Sequence, residues 1–95
     1  MSYLAEKYAH LLSKDDVLDL FGQLEKAYKG NLSEACRKCG IQRKTRYDWN
    51  SARSLKLSTK KKILKAMIET NPERALDFLL TQSKETSIEL LTTYL

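Results

Sequence analysis

Apolar residues recur along this chain at intervals of three and four, and almost nowhere in strict alternation, which is the spacing of helices that each bury one face. Leu4, Tyr8, Leu11 and Leu12 predict a first helix over residues 2–12. Val17, Leu18, Phe21, Leu24 and Tyr28 predict a second, with Ser13 as its cap, Asp15 and Asp16 in its first turn and Gly30 as its stop. Two shorter elements follow. Asn31 is placed to cap a helix in which Glu34 completes a capping-box spacing, and Ala35, Cys36 and Cys39 form a small inner face suited to a close helix crossing. Gly40 can take the left-handed conformation that ends this helix, and Ile41 supplies an apolar plug for the turn. Helical composition resumes from Gln42 to about Arg53, with Trp49 as the large residue for burial.

After a turn at 54–57, Ser58 is expected to cap a helix over 59–70 with Ile63, Leu64, Met67 and Ile68 inward. Asn71 and Pro72 restart the chain, since Asn caps well and proline suits the first helical position. Ala75, Leu76, Phe78, Leu79 and Leu80 then spread around more than one face, and Thr86 with Glu89 opens a last helix bearing Ile88, Leu90, Leu91, Tyr94 and Leu95. The expected fold is all-α: a multi-helix bundle containing a central helix-turn-helix at about 31–53, in a single helical domain over residues 1–95. The helices of 59–95 either support dimerisation or pack within one chain.

Composition narrows the function classes. A 42% hydrophobic and 31% charged content describes an ordinary globular domain, without the polar bias of disorder. No apolar run is long enough to span a membrane and the N-terminal stretch lacks a signal-type hydrophobic region, so a cytoplasmic protein is expected. The net charge of +5 is unevenly placed. Between Arg37 and Lys62, ten cations (Arg37, Lys38, Arg43, Lys44, Arg46, Arg53, Lys56, Lys60, Lys61, Lys62) face a single anion, Asp48. The rest of the chain is therefore net acidic, the asymmetry of a polyanion-binding face on an acidic body; the plainer reading is a solvated lysine-rich surface. Lys60, Lys61 and Lys62 in the opening turn of their helix oppose its macrodipole, an arrangement that phosphate oxygens would offset.

Enzymatic chemistry has little footing. Cys36 and Cys39 make a C-x-x-C pair, but His10 is the one further soft ligand and no βαβ context surrounds the thiols. Neither a glycine-rich phosphate loop nor a paired-carboxylate motif is present. No catalytic residue, metal or cofactor is expected. With Ile41, Thr45 and Trp49 inward at spacings of four, the helix that follows the turn presents Arg43, Lys44, Tyr47, Asp48 and Ser51 outward, with Gln42 at its start. Arg or Lys can donate to guanine O6 and N7, Gln can pair with adenine, and Asp can accept from cytosine N4, although Asp48 could equally pair with Lys44. Arg46, Arg53, Lys60, Lys61 and Lys62 complete the expected DNA-contacting set.

Residues Gly30, Asn31, Ser33, Ala35, Gly40, Ile41, Arg43, Thr45 and Tyr47 resemble the helix-turn-helix of the Fis family and of NtrC-type activators, of the form GN-x-[ST]-x-A-A-x-x-x-GI-[SN]-R-x-T-L-Y. Arg43, Thr45, Tyr47 and Trp49 are also similar to the R-x-T-x-Y-x-W run of transposase-type helix-turn-helix domains. The resemblance spans residues 30–49 and implies a recognition helix in the major groove of double-stranded DNA. It departs from the pattern at Cys36, which replaces a second small alanine, at Gln42, which replaces a capping Ser or Asn, and at Arg46, which replaces an inward Leu or Val. Either Arg46 lays its stem over Trp49 with its head outward, or the helix rotates so that Tyr47 takes more of the core. The expectation is a sequence-preferring transcriptional regulator acting as a homodimer. The alternatives are an architectural or recombination-associated DNA-binding protein, or a helical protein-interaction module.

Overall fold

The computed structural model describes residues 3–81, all helix and connecting turn with no strand among them. Its elements are α1 (Tyr3–Tyr8), a 3-10 turn (Ala9–Leu11), α2 (Lys14–Ala27), α3 (Leu32–Cys39), α4 (Arg43–Asp48), α5 (Leu57–Thr70) and α6 (Pro72–Leu80). The helix expected to open at Thr86 lies outside the described residues. So do residues 82–95 of the segment expected to support dimerisation.

Local side-chain chemistry sets most of the boundaries. At α2 the capping box is reciprocal: the Asp16 amide donates to Ser13 Oγ (3.1 Å) and the Ser13 amide donates to Asp16 Oδ2 (2.8 Å). At α6 the Arg74 amide donates to Asn71 Oδ1 (3.2 Å), with Pro72 in the first turn where its missing N–H costs nothing. At α3 only half of the expected box forms. The Glu34 amide donates to Asn31 Oδ1 (3.1 Å), but the Glu34 carboxylate turns to Arg37 and the Asn31 amide donates to the Tyr28 carbonyl.

Four boundaries differ from expectation. The first helix breaks after Tyr8 into a 3-10 turn closed by the Leu12 amide on the Ala9 carbonyl, which brings both Ala9 and Leu12 into the core. α2 ends at Ala27 because Lys29 is already left-handed (φ 58°) ahead of Gly30 (φ 78°), and the Gly30 amide closes on the Glu25 carbonyl (2.7 Å). α4 stops at Asp48 rather than near Arg53. α5 starts at Leu57, with Lys56 at the cap position and no side-chain cap, so Ser58 lies inside the first turn and does not cap it.

The core is organised around α5, which packs most extensively on α2 and α6 and also on α1, the 3-10 turn and α3. Its expected face of Ile63, Leu64, Met67 and Ile68 is buried, joined by Ala66. Opposite it, α2 buries Val17, Leu20, Phe21 and Leu24; Leu20 is fully enclosed and Leu18 is half-buried, a small rotation from the expected face. Burying each such Leu, Ile or Phe is worth roughly 1.5–3 kcal/mol, so this interface dominates the stability of the domain. On α6 only Ala75 and Leu79 are buried; Leu76, Phe78 and Leu80 are half-buried. No helix among the described residues is long and apolar enough to cross a membrane.

Candidate nucleic-acid interface

Helices α3 and α4 meet across the turn at Gly40. The glycine is left-handed (φ 71°), its amide donates to the Arg37 carbonyl (3.1 Å), and the Ile41 amide reaches back to the Cys36 carbonyl (3.0 Å). This Schellman pair satisfies carbonyls that would otherwise be orphaned and turns the chain sharply into α4. The close crossing depends on the small inner face, and Ala35, Cys36 and Cys39 are indeed all buried. Burial pushes both thiols up, Cys39 to about 12, so they remain protonated and serve as packing groups. Among the described residues no cluster of three or more His, Cys, Asp or Glu side chains could hold a metal ion.

α4 is short, and its three inward residues behave as the fourfold spacing implies. Trp49, just past its last turn, is 3% exposed and meets the Phe21 ring edge-on at 5.4 Å, while Ile41 and Thr45 are half-buried. The opposite face is open: Gln42, Arg43, Lys44, Tyr47, Asp48 and Ser51 are all exposed. Gln42 occupies the cap position with extended backbone (φ −85°, ψ 154°) but makes no side-chain cap, which leaves its amide group free. Arg43 donates to the Tyr47 hydroxyl (3.2 Å), holding two outward side chains together. Asp48 forms no ion pair with Lys44 or with any other described residue.

The chain beyond Asp48 is a tight turn, not more helix. The amides of Trp49, Asn50, Ser51 and Ala52 each donate three residues back, and the Ser51 hydroxyl donates to the Asp48 carbonyl (3.3 Å). The Lys14 ammonium, arriving from the start of α2, donates to the Ala52 carbonyl and fastens this turn to the body. Ser51 and Arg53 therefore sit on a turn at the end of α4, both exposed.

Arg46 lies over Trp49, as the first of its two expected arrangements has it, but with its guanidinium against the ring in place of an outward head. Its guanidinium carbon lies 5.3 Å from the Trp49 ring centroid and 5.5 Å from that of Phe21, and Tyr47 is 52% exposed, so the helix has not rotated to bury Tyr47. The head is not free in solvent, however. Nε is buried with no hydrogen-bond partner, and a terminal nitrogen makes only a long bond (3.4 Å) to Asn50 Oδ1. Two ring faces here do the work of the aliphatic contact in the resembled pattern.

The basic stretch divides in two. Arg37 pairs with Glu34, Lys38 with Glu69 (2.8 Å) and Lys61 with Glu6 (2.9 Å), so three of the ten cations are turned to carboxylates, two of which belong to other helices. Lys61 is thus tied to α1. Lys44, Arg53, Lys56 and Lys60 form no ion pair among the described residues, and Lys62 makes a long bond (3.5 Å) to the Gly40 carbonyl. Lys56 belongs to the basic stretch but not to the expected DNA-contacting set, and Lys14 to neither; Lys56 lines the groove that opens between α4 and the start of α5. Between α4 and the start of α5 runs an open groove of about 550 Å³, floored by Ile41, Trp49 and Leu55 and edged by Gln42, Lys56 and Lys62. No protein-family model, curated protein or solved structure matches the chain.

Proposed function

We propose that this chain is a sequence-preferring DNA-binding protein, a transcriptional regulator that acts in the cytoplasm as a homodimer and places α4 in the major groove. The observation that carries this reading is the division of α4 into two faces. Ile41, Thr45 and Trp49 anchor it, and Gln42, Arg43, Lys44, Tyr47 and Asp48 stand exposed on the other side. That mixture of donors and acceptors, with the Gln42 carbonyl and the Asp48 carboxylate among the latter, suits base edges, whereas phosphate binding alone would need only cations. The unpaired Arg53, Lys56 and Lys60 lie beyond this face and supply the sequence-independent attraction. For the homodimer, a two-fold pair would set recognition helices about 34 Å apart or a multiple of one turn.

Selection of duplexes from a random pool at two salt concentrations tests the proposal. Enrichment of a palindromic sequence whose affinity falls with salt is expected. Recovery of unenriched sequences, or binding indifferent to salt, would remove its basis. Sedimentation of the free protein at the dimer mass is the companion expectation, and a monomer both free and on DNA would refute the two-fold arrangement.

A further inference from the structure

The groove between α4 and α5 has a floor of apolar side chains and a rim of donors, and it opens directly beside the face proposed to read bases. Its rim carries the ammonium groups of Lys56 and Lys62, the hydroxyls of Ser58 and Thr59 and the Gln42 amide, with Asp48 as its one carboxylate. Lys56 has no carboxylate partner among the described residues. Lys62 spends one N–H on the Gly40 carbonyl at 3.5 Å, a bond too long to satisfy an ammonium that has three donors. Donors thus converge on a surface that leaves them underused, and the lining keeps a net positive charge with Asp48 counted.

We infer that this groove is the track of one phosphodiester strand: the backbone bordering the major groove runs between α4 and α5, with Lys56 and Lys62 each on a phosphate. The inference rests on the DNA-binding reading and adds to it which cations meet the backbone. It assigns the contact to Lys56 and Lys62 in place of a uniform run of Lys60 to Lys62, because Lys61 is turned to Glu6 at 2.9 Å. α4 is held at its two ends by packing, so the groove also fixes its depth: the strand seats on the rim, and Gln42 at the mouth reaches the adjacent base edge.

The test compares wild type, Lys56→Gln, the double variant Lys56→Gln/Lys62→Gln, and Lys26→Gln, which removes the same single charge as Lys56→Gln but from the exposed flank of α2. Affinities for a selected duplex and an unrelated one are measured across a salt series, with thermal melts to establish that each variant is folded. Each lost phosphate contact should lower the slope of log affinity against log salt by about 0.9, so the double variant should lose nearly two and Lys56→Gln nearly one. The gap between wild type and the double variant should therefore narrow roughly 10-fold between 50 and 200 mM salt, equally on both duplexes, with the preferred sequence unchanged. A folded double variant with the wild-type slope, or one no weaker than Lys26→Gln, overturns the groove assignment and leaves the DNA reading intact. A changed base preference in the double variant also overturns it, by placing these lysines on bases. Failure of wild type to bind any duplex overturns both.

Discussion

Replacing Arg46 separates packing from charge at the anchor of α4. In Arg46→Met a flexible stem of similar reach stays over Phe21 and Trp49. Two cation–ring contacts at 5.5 and 5.3 Å are lost, together about 1–2 kcal/mol. The buried Nε–H that has no acceptor is lost as well, and an unsatisfied donor of that kind costs about 1–3 kcal/mol. The 3.4 Å bond to Asn50 contributes little in either direction. These terms oppose one another, so Arg46→Met should lie within about 1 kcal/mol of wild type, or above it. Arg46→Ala removes the stem too. At about 0.8 kcal/mol per buried CH₂ on a partly covered side chain it should fall about 2 kcal/mol below the Met variant. The assay is urea unfolding followed by tryptophan fluorescence, since Trp49 is the one tryptophan and sits at the contact. If Arg46→Met proves as unstable as Arg46→Ala, the charge holds α4 and the packing argument is wrong.

Three further outcomes are expected. Gly40→Ala should cost about 1–2 kcal/mol from the left-handed backbone alone, because a Cβ there meets nothing within 4 Å; Gly40→Asn should cost less, and thermal melts of the pair would check the order. Burial, and secondarily the neighbouring Cys36, pushes the Cys39 thiol from an ordinary 9.0 to about 12, so the folded chain keeps a proton that the unfolded chain gives up. Its contribution is whole below about pH 9 and is lost as pH rises toward 12; urea midpoints should decline over that window, and Cys39→Ala should flatten the decline. Arg43→Ala should reduce discrimination at one base position by about 1–3 kcal/mol, read by repeating the duplex selection with the variant.

The starts of α2, α3 and α6 were legible because caps are local, whereas that of α5 has no side-chain cap to mark it. Ser13, Asn31 and Asn71 each bond an amide three residues on, and Gly40 turns where an L-residue would strain. The core of α5 was legible because one face carries Ile63, Leu64, Met67 and Ile68. The end of α4 was not, since residues 49–53 contain neither glycine nor proline, and one of the bonds that fasten them comes from Lys14, 38 positions away in the chain. The fate of Arg46 depended on Phe21, contributed by α2. Lys61 and Lys38 could not be told apart from the unpaired cations by composition, because Glu6 and Glu69 reach them only across the folded bundle. The outward face of α4 needed only its spacing: with Trp49 inward, the exposure of Arg43, Lys44, Tyr47 and Asp48 follows. Spacing stops short of the DNA itself, since it orients the side chains without naming what they touch.

The most direct test of that contact is an amide-resolved NMR titration of the protein with a short DNA duplex at low salt. The account predicts the largest shifts at Gln42–Arg53 and at Lys56–Lys62, with α6 and the exposed His10 undisturbed. Shifts confined to α1 or α6, or an unchanged spectrum with excess duplex, would contradict it.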